Sequence, residues 1–332
     1  MLPDPAPPGD RLPVPVSLLD RSRTREGEDP GAALRHTVER ARRAESLGLH
    51  RFWVAEHHAV PGIASGSPPV LMAEVAAATS RIRVGSGGIM LPNHRPLVVA
   101  EQVRMLEALH PGRIDVGIGR SLGFTAPVRR ALGVERYPVE TFAEDLGLLL
   151  AHLDDQGPVT AMPRGVPRPP VLVLATGSGL GVAARLGLPV VVGGPVLHGD
   201  LAPLEAYRAQ FRPSPQCPEP RVVISLDVMI AGTAGRAREL LLPEAWAMAE
   251  SRATGAFPPL RPDPPQRLTP KQEELVEQQV AMAVSGTASQ VLVELTDLVR
   301  RTGATEVLAS TSTFDRDELA AADEALAALA PG

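Results

Sequence analysis

Three consecutive polar residues at the end of an apolar run are able to move protons. Glu56, His57 and His58 close the run that begins at Arg51, and histidine titrates close to physiological pH. A bound metal ion is a second interpretation, although neighbouring side chains on an extended strand point to opposite faces, so His57 and His58 cannot easily share one ion. Surface histidines at a strand end are a third. The residue types alone leave all three open, with metal the least favoured, and we predict no metal site.

Glycine-rich turns at three further positions suit a flat, phosphorylated ligand. Residues 85–88 are Gly-Ser-Gly-Gly, and glycine inside a strand marks a bulge or a close approach of backbone to a ligand. Residues 117–120 end in Arg120, and arginine is the natural bidentate partner of a phosphate. Residues 176–179 precede a helix, whose free N–H groups and dipole attract anions. Such turns are common in α/β proteins, so the prediction rests on finding all three at successive strand ends.

The elements that would position these residues are short apolar runs, which predict strands, alternating with segments whose apolar residues recur with the period of a helix. The runs are rich in Val, Leu and Ile, as expected for a parallel sheet covered on both faces. Eight strand–helix units predict an α/β fold, a (β/α)8 TIM barrel, whose active sites lie at the carboxyl ends of the strands. A doubly wound sheet is the alternative, but no Gly-x-Gly-x-x-Gly follows the first strand. The predicted strands are residues 14–20, 51–58, 82–91, 113–119, 171–175, 188–192, 222–230 and 306–310.

Capping residues predict where two of the helices begin. Asp29 precedes Pro30, so it is the predicted N-cap of the first helix. Thr141 stands three residues before Glu144, the spacing of a capping box, and is the predicted N-cap of the helix after strand 4.

Two long segments do not fit a minimal barrel. Residues 122–138 follow strand 4 and residues 253–269 come after strand 7, and loops of this length are uncommon unless they are functional or disordered. We interpret both as lid segments over the carboxyl ends of the strands, with simple insertion as the alternative. The predicted domains are a disordered N-terminal tail, residues 1–12, and a single barrel domain, residues 13–332.

Composition and charge exclude several classes of function. The formal net charge of −5 argues against a nucleic-acid partner, which needs a basic stripe. The one lysine, Lys271, lies in a polar run, so lysine Schiff-base or phosphate-loop chemistry is not expected. The one cysteine, Cys217, cannot form an intrachain disulfide. Because residues 1–10 lack the apolar core of a signal peptide and no run reaches about 18 apolar residues, we expect a cytoplasmic protein with no membrane partner.

Three stretches of the sequence resemble the bacterial luciferase-like monooxygenases: residues 53–58, 79–94 and 109–120. The likeness is dense between residues 14 and 121 and looser from there to the last helix. It implies a (β/α)8 barrel that uses reduced FMN and O2 or, in some branches, a deazaflavin coenzyme for hydride transfer. The sequence is most similar to the flavin-dependent monooxygenase branch, which implies oxidation of a small organic substrate, including substrates of natural-product pathways.

The resemblance also implies which residues form the site. It makes His57 the catalytic residue, an acid and base near the reactive edge of the flavin. It puts the flavin ring above Gly87 and Gly88, where the family often has a cis peptide bond between non-proline residues, and the phosphate near Arg120 and residues 176–178. The implied cofactor-binding residues are Ser86, Gly87, Gly88, Arg120, Thr176, Gly177 and Ser178.

Departures from the family pattern limit what the resemblance implies. Residues 176–178 read Thr-Gly-Ser rather than Gly-Ser-Ser, so either hydroxyl is a candidate for binding the phosphate. Arg129, Arg130 and Arg136 are the candidates for a second phosphate-binding arginine, and the sequence does not choose among them. Gly119 stands where luciferase has a reactive cysteine, which disfavours light-emitting aldehyde oxidation.

Partners and rival functions follow from the same resemblance. No nicotinamide fingerprint is present, so a separate flavin reductase is the expected supplier of reduced FMN. A homodimer through the helices that flank strands 2 and 3 is expected from the family. The rivals are a deazaflavin-dependent oxidoreductase on the same barrel and a flavin-binding protein without turnover. A metal-dependent barrel hydrolase, which the residue types alone leave open, is the last rival.

Overall fold

Eight parallel strands close into a barrel, which confirms the predicted fold. The computed structural model describes residues 11–29, 31–265 and 267–331. In that part of the chain the strands are β1 (Val16–Asp20), β2 (Arg51–Val54), β3 (Arg83–Ser86), β4 (Ile89–Met90), β5 (Ile114–Gly119), β6 (Val171–Leu174), β7 (Val190–Gly193), β8 (Val222–Leu226), β9 (Val228–Ile230), β10 (Val284–Gly286) and β11 (Glu306–Ala309). Around the barrel the order is β1, β2, β3, β5, β6, β7, β8 and β11, which pairs back to β1; β4 resumes the line of β3 beside β5.

Helices cover the outside of the barrel and connect successive strands. They are α1 (Ala32–Ser46), α2 (Pro68–Ala78), α3 (Pro96–Leu109), α4 (Ala126–Ala131), α5 (Val139–Leu153), α6 (Gly179–Leu186), α7 (Pro195–His198), α8 (Ala202–Gln210), α9 (Ala234–Thr254), α10 (Pro270–Ala281), α11 (Ala288–Thr302) and α12 (Arg316–Ala328). Among these described helices, none combines the length and the apolar character needed to cross a bilayer.

The two ends of the barrel differ in chemistry. At the amino-terminal ends of the strands, the buried carboxylate of Asp115 accepts hydrogen bonds from Arg51 Nη1 at 2.6 Å and Arg83 Nη2 at 2.6 Å, and Arg51 Nε also contacts Glu306 Oε1 at 3.1 Å. These charges are paired with one another, which is typical of the stabilising end of such a barrel. The opposite end carries the candidate site.

Several predicted boundaries are wrong by a few residues. Helix α1 begins at Ala32 with Gly31 as its N-cap, not at Asp29, although the Asp29 carboxylate still accepts the Gly31 N–H at 2.9 Å. Thr141 lies inside α5, whose N-cap is Pro138. The predicted Pro30 start falls outside the described residues.

The seventh barrel strand is shorter than predicted. It ends at Leu226, and after Asp227 the chain leaves the barrel as β9, which pairs in parallel with β10. The predicted tail falls mostly outside the described residues, because the structure describes nothing before Arg11. Leu12, assigned to that tail, is buried, and its N–H donates to Leu329 O at 2.8 Å.

The two long segments meet at the carboxyl ends of the strands. Residues 122–138 include α4, whereas residues 253–269 start in the last turn of α9 and so do not follow a strand directly. The second segment packs on the loops after β1 and β2, since Leu260 N donates to Thr24 O at 2.9 Å and Gly62 N donates to Phe257 O at 2.6 Å. The rings of Phe124 and Phe257 join the two segments edge to face, with centroids 6.0 Å apart.

Candidate active site

The predicted site residues lie at the carboxyl ends of four adjacent strands. His57 follows β2, Gly87 and Gly88 lie between β3 and β4, Arg120 follows β5, and residues 176–178 connect β6 to α6. Strand β2 ends at Val54 rather than at His58, so the histidines lie on the loop beyond it. Because β2, β3, β5 and β6 are neighbours in the closed sheet, these residues share one sector of the barrel mouth.

Glu56 is the centre of a buried hydrogen-bond network. Its carboxylate contacts His58 Nε2 at 2.7 Å and His94 Nε2 at 2.9 Å, and it accepts the Met90 N–H at 2.9 Å and Asn93 Nδ2–H at 3.3 Å. Burial alone would raise the pKa of Glu56, but the hydrogen bonds from His58 and His94 outweigh it and lower that pKa to about 2. Glu56 is therefore a carboxylate at neutral pH.

His94 is the member of this network that the sequence analysis missed. The sequence analysis gave it no role of its own, yet the short 3-10 turn at Leu91–Asn93 brings its Nε2 to 2.9 Å from the Glu56 carboxylate. Its proximity to the carboxylate depends on how β4 and the turn fold back toward β2, which no local spacing reveals. The ligand atoms of Glu56, His58 and His94 all lie within 4.8 Å of one another, a donor set of a kind that divalent metals use.

His57 differs from both neighbouring histidines. Its Nδ1 is buried and has no hydrogen-bond partner among the described residues, while its backbone N–H donates to Ser65 O at 2.8 Å. Burial, followed by the positive charges of Arg21 and Arg23, lowers the pKa of His57 to about 4. At neutral pH this imidazole is uncharged and able to accept a proton.

The glycines between β3 and β4 leave no room for side chains. A Cβ added at Gly87 would lie 2.5 Å from Leu19 Cδ1, and one at Gly88 would lie 2.8 Å from Gly117 O. The peptide bond between Gly87 and Gly88 is cis, as the resemblance implies. Glycine is therefore required here for close packing against the barrel interior, and the exposed surface of this step is bare backbone.

Ser86 is engaged in the sheet rather than in the mouth. It is fully buried, and its Oγ donates to Gly117 O at 2.9 Å and accepts the Gly117 N–H at 3.0 Å. Its single O–H is therefore used within the sheet, and the cofactor contact predicted for Ser86 stays a prediction.

Arg120 and Ser178 come together although they are far apart in the sequence. Arg120 is exposed, and its Nη2 donates to Ser178 Oγ at 3.4 Å and its Nη1 to Tyr137 O at 3.2 Å. Ser178 is the N-cap of α6, but its side chain makes no capping hydrogen bond. A Cβ on Gly177 would meet open space. The two side chains and the α6 N-terminus therefore form an open, positively polarised surface.

A second charged cluster in the mouth was not predicted. Arg21, one residue beyond β1, donates to Asp227 Oδ1 at 2.7 Å and to Glu244 Oε1 at 2.9 Å, and Arg23 Nε donates to Glu244 Oε2 at 2.7 Å. Arg23 also lies over the ring of Phe257, with Cζ 4.4 Å from its centroid. An arginine directly after a strand, the signal used for Arg120, would have identified Arg21.

The electrostatics of this cluster are balanced. Burial would raise the pKa of Glu244, but the charges of Arg23 and Arg21 lower it. Burial raises the pKa of Asp227 despite its contact with Arg21. The cluster lines the mouth on the side of β1, β8 and β11, away from Arg120, and leaves His57 between a charged, largely buried region and an exposed one.

A cavity of about 740 Å³ lies outside the mouth, between α1 and α2. Its lining combines apolar side chains such as Leu34, Val38 and Val70 with charged ones such as Arg35 and Glu74. The mouth itself is shallow beside His57, where the loop after β2 forms an open depression of about 420 Å³.

The family model for luciferase-like monooxygenases matches residues 14–306. A luciferase-like monooxygenase of Escherichia coli is 34% identical over 315 residues, which cover 91% of this chain and 92% of the relative. N-acetyl-S-alkylcysteine monooxygenase of Bacillus subtilis is 42% identical over 187 residues, which cover 54% of this chain and 56% of the relative.

Solved structures share the fold over almost the whole chain. Apo-MsnO8 superposes with a TM-score of 0.83 at 33% identity and covers 95% of this chain and 97% of its own. The oxygenating constituent of 3,6-diketocamphane monooxygenase from Pseudomonas putida, solved with FMN, gives a TM-score of 0.72 at 16% identity, with 95% and 96% covered. An F420-dependent secondary alcohol dehydrogenase gives 0.71 at 15% identity, with 96% and 99% covered.

Proposed function

The chain belongs to the luciferase-like monooxygenase family, and on that premise we propose that it is a flavin-dependent monooxygenase that uses reduced FMN and O2 to oxidise a small organic substrate. The observation that carries the proposal is the division of the barrel mouth. One sector holds a half-buried histidine whose buried Nδ1 has no partner among the described residues, and another holds an exposed arginine beside a helix N-terminus. FMN would present its reactive ring to the first sector and its phosphate to the second.

The residues of the mouth offer partners for two parts of FMN, its phosphate and its ring. Arg120 and the hydroxyl of Ser178 would hold the phosphate, together with Thr176 and the N–H groups at the start of α6. The bare backbone at Gly87–Gly88 would face the ring, since no side chain stands in the way there. When bound, reduced FMN supplies the electrons that allow O2 to oxygenate an organic molecule.

The chain's own residues have two tasks in this proposal. His57 accepts and returns a proton at its unpartnered Nδ1, for which its uncharged state at neutral pH is suited. The two long segments, joined at Phe124 and Phe257, exclude water from the mouth. We propose that a separate reductase supplies reduced FMN in the cytoplasm, with the deazaflavin coenzyme as the alternative cofactor.

The direct test is to mix the purified protein with reduced FMN under anaerobic conditions and then with O2. We expect the protein to bind reduced FMN and to change the time course of its oxidation relative to free reduced FMN. A parallel titration with the reduced deazaflavin coenzyme separates the two cofactors, because tighter binding of the deazaflavin would assign hydride transfer instead. Protein that neither binds reduced FMN nor alters its oxidation contradicts the proposal.

Substrate screening has a rational starting point. Because the Bacillus subtilis relative is named for N-acetyl-S-alkylcysteines, we propose thioethers of this type as the first substrates to assay. Product formation that depends on both O2 and reduced FMN is the expected result for a true substrate. The charged cluster around Arg21 gives such a substrate polar partners at the side of the mouth opposite Arg120.

We also propose a homodimer that uses α2 and α3. These helices expose large apolar side chains: Val70 is 72% exposed on α2, and Met105 and Leu109 are 56% and 68% exposed on α3. Exposed apolar groups clustered on neighbouring helices mark an interaction surface, and the cavity between α1 and α2 adjoins it. Light scattering should give twice the chain mass, and Val70→Asp should shift the protein to monomer.

A further inference from the structure

The Glu56 carboxylate links two separate parts of the mouth. His58 comes from the loop after β2, whereas Met90 and His94 come from β4 and the turn that follows it. All three donate to this one side chain, which has no solvent exposure. The segment that begins directly after Gly88 is thereby attached to the residue that precedes His57.

The chemistry of a carboxylate also fixes the protons on the two rings. An ionised carboxylate only accepts hydrogen bonds, so each ring nitrogen that faces it must carry a proton. His58 and His94 both face Glu56 through Nε2, at 2.7 Å and 2.9 Å. His57, which lies between Glu56 and His58 in the sequence, does not belong to this network and keeps a ring nitrogen without a partner among the described residues.

We propose that Glu56 is the positioning residue of this site: it holds His58 and His94 as Nε2–H donors and fixes His57 relative to the Gly87–Gly88 step. The functional part of this inference rests on the proposed use of FMN, whereas the geometric part does not. It assigns distinct roles to three histidines that look equivalent in the sequence. His57 is the one left free to exchange a proton, and the other two are structural donors.

The rival interpretation of the same cluster is a divalent cation held by Glu56, His58 and His94. A cation would have to remove the protons from both Nε2 atoms, since a ligating imidazole nitrogen carries no proton. The two interpretations therefore differ at an atom that can be observed directly. They also differ in metal content, which can be measured on the same sample.

The test is nitrogen NMR of protein labelled with 15N-histidine, with resonances assigned by replacing one histidine at a time. In the wild-type protein we expect a proton on Nε2 of both His58 and His94, and no stoichiometric metal. In Glu56→Gln we expect at least one of these rings to lose that state, because a carboxamide presents one acceptor oxygen and a competing N–H group. Glu107→Gln is the matched control, since Glu107 is also buried and accepts a backbone N–H, from Gly112 at 2.6 Å, at the other end of the barrel; it should leave both rings unchanged.

Three results would overturn the inference. The first is an unprotonated Nε2 on His58 or His94 in the wild-type protein, which needs no variant to fold. The second is unchanged ring states in folded Glu56→Gln, and the third is a stoichiometric metal ion that this substitution removes. Anaerobic titration with reduced FMN distinguishes the two proposals. If the rings have the expected protonation states but the protein binds no reduced FMN, the positioning role of Glu56 is supported and the monooxygenase proposal is wrong.

Discussion

The sector of the mouth around Glu56 and His57 and the sector around Arg120 and Ser178 are built in opposite ways. The buried Glu56 carboxylate is paired with half-buried histidines and a backbone N–H at 2.7 to 2.9 Å, and the buried His57 Nδ1 has no partner among the described residues. Around Arg120 the side chains are exposed, and its two hydrogen bonds are long, at 3.2 and 3.4 Å. In the first sector the polar groups already hydrogen-bond one another, whereas in the second the donors are available to hydrogen-bond a ligand.

This difference predicts which property each sector controls. Preorganised groups lower the barrier of a reaction without changing how tightly a distant part of the cofactor binds. Charged donors that are still available to a ligand contribute instead to the affinity for the cofactor. Substitutions around His57 should therefore affect turnover, and substitutions around Arg120 should affect affinity for reduced FMN.

The largest effect is expected for His57→Ala. Removing a general acid–base group lowers turnover by about 10²- to 10⁴-fold, while the affinity for reduced FMN should stay unchanged because the phosphate contacts remain. The measurement is kcat with a substrate found by the screen, together with an anaerobic titration. His110→Ala, at the far end of α3, is the control. Full turnover by His57→Ala would remove this residue from the chemistry.

Arg120→Ala should weaken binding of reduced FMN by about tenfold to a hundredfold, because a hydrogen bond to a charged group contributes about 1.5–3 kcal/mol. At saturating FMN, kcat should be close to that of the wild-type protein. Arg185→Ala, at the exposed opposite end of α6, is the matched control. Equal affinity of Arg120→Ala and wild type for reduced FMN would show that Arg120 does not bind the phosphate.

The pH dependence of stability should also distinguish the sectors. The pKa of His57 is 6.5 in the reference state and about 4 in the folded protein, so between these values the unfolded chain binds a proton that the folded chain does not. The uncharged His57 therefore makes its full contribution to the free energy of unfolding above pH 6.5, and this contribution is lost as the pH falls toward 4. The free energy of unfolding should fall by up to about 1.4 kcal/mol per pH unit in this range. Urea unfolding across this pH range gives the free energy of unfolding of the wild type and of His57→Asn. The prediction is wrong if this free energy depends on pH in the same way in both proteins.

The smallest effect is expected for Ser178→Ala. A neutral hydrogen bond contributes about 0.5–1.5 kcal/mol, so the dissociation constant for reduced FMN should rise by roughly two- to tenfold. Thr176→Val tests the other candidate hydroxyl of the turn in the same assay. A loss confined to Thr176→Val would show that the phosphate contacts that hydroxyl instead of Ser178.

The positions of the predicted site residues followed from one property of parallel barrels. Since the carboxyl ends of the strands meet at one mouth, His57, Gly88, Arg120 and residues 176–178 could be placed together from their places along the sequence. The contact between Arg120 and Ser178, 58 residues apart, shows that this inference is sound even where each motif is weak on its own.

The missed features depend on how chain segments fold back. His94 reaches Glu56 only because a turn follows β4, and Arg21 meets Asp227 only because β8 ends one residue earlier. Capping signals were similarly local: Asp29 does accept an N–H, but the helix begins beyond Gly31. Such contacts are set by tertiary geometry, which spacing along a strand does not encode.

The most direct test of the central claim is an anaerobic titration of reduced FMN against wild type, Arg120→Ala and His57→Ala. We predict binding by the wild-type protein, weaker binding by Arg120→Ala by at least about tenfold, and unchanged binding by His57→Ala. Failure of the wild-type protein to bind reduced FMN, or a loss of affinity in His57→Ala with none in Arg120→Ala, would contradict the account.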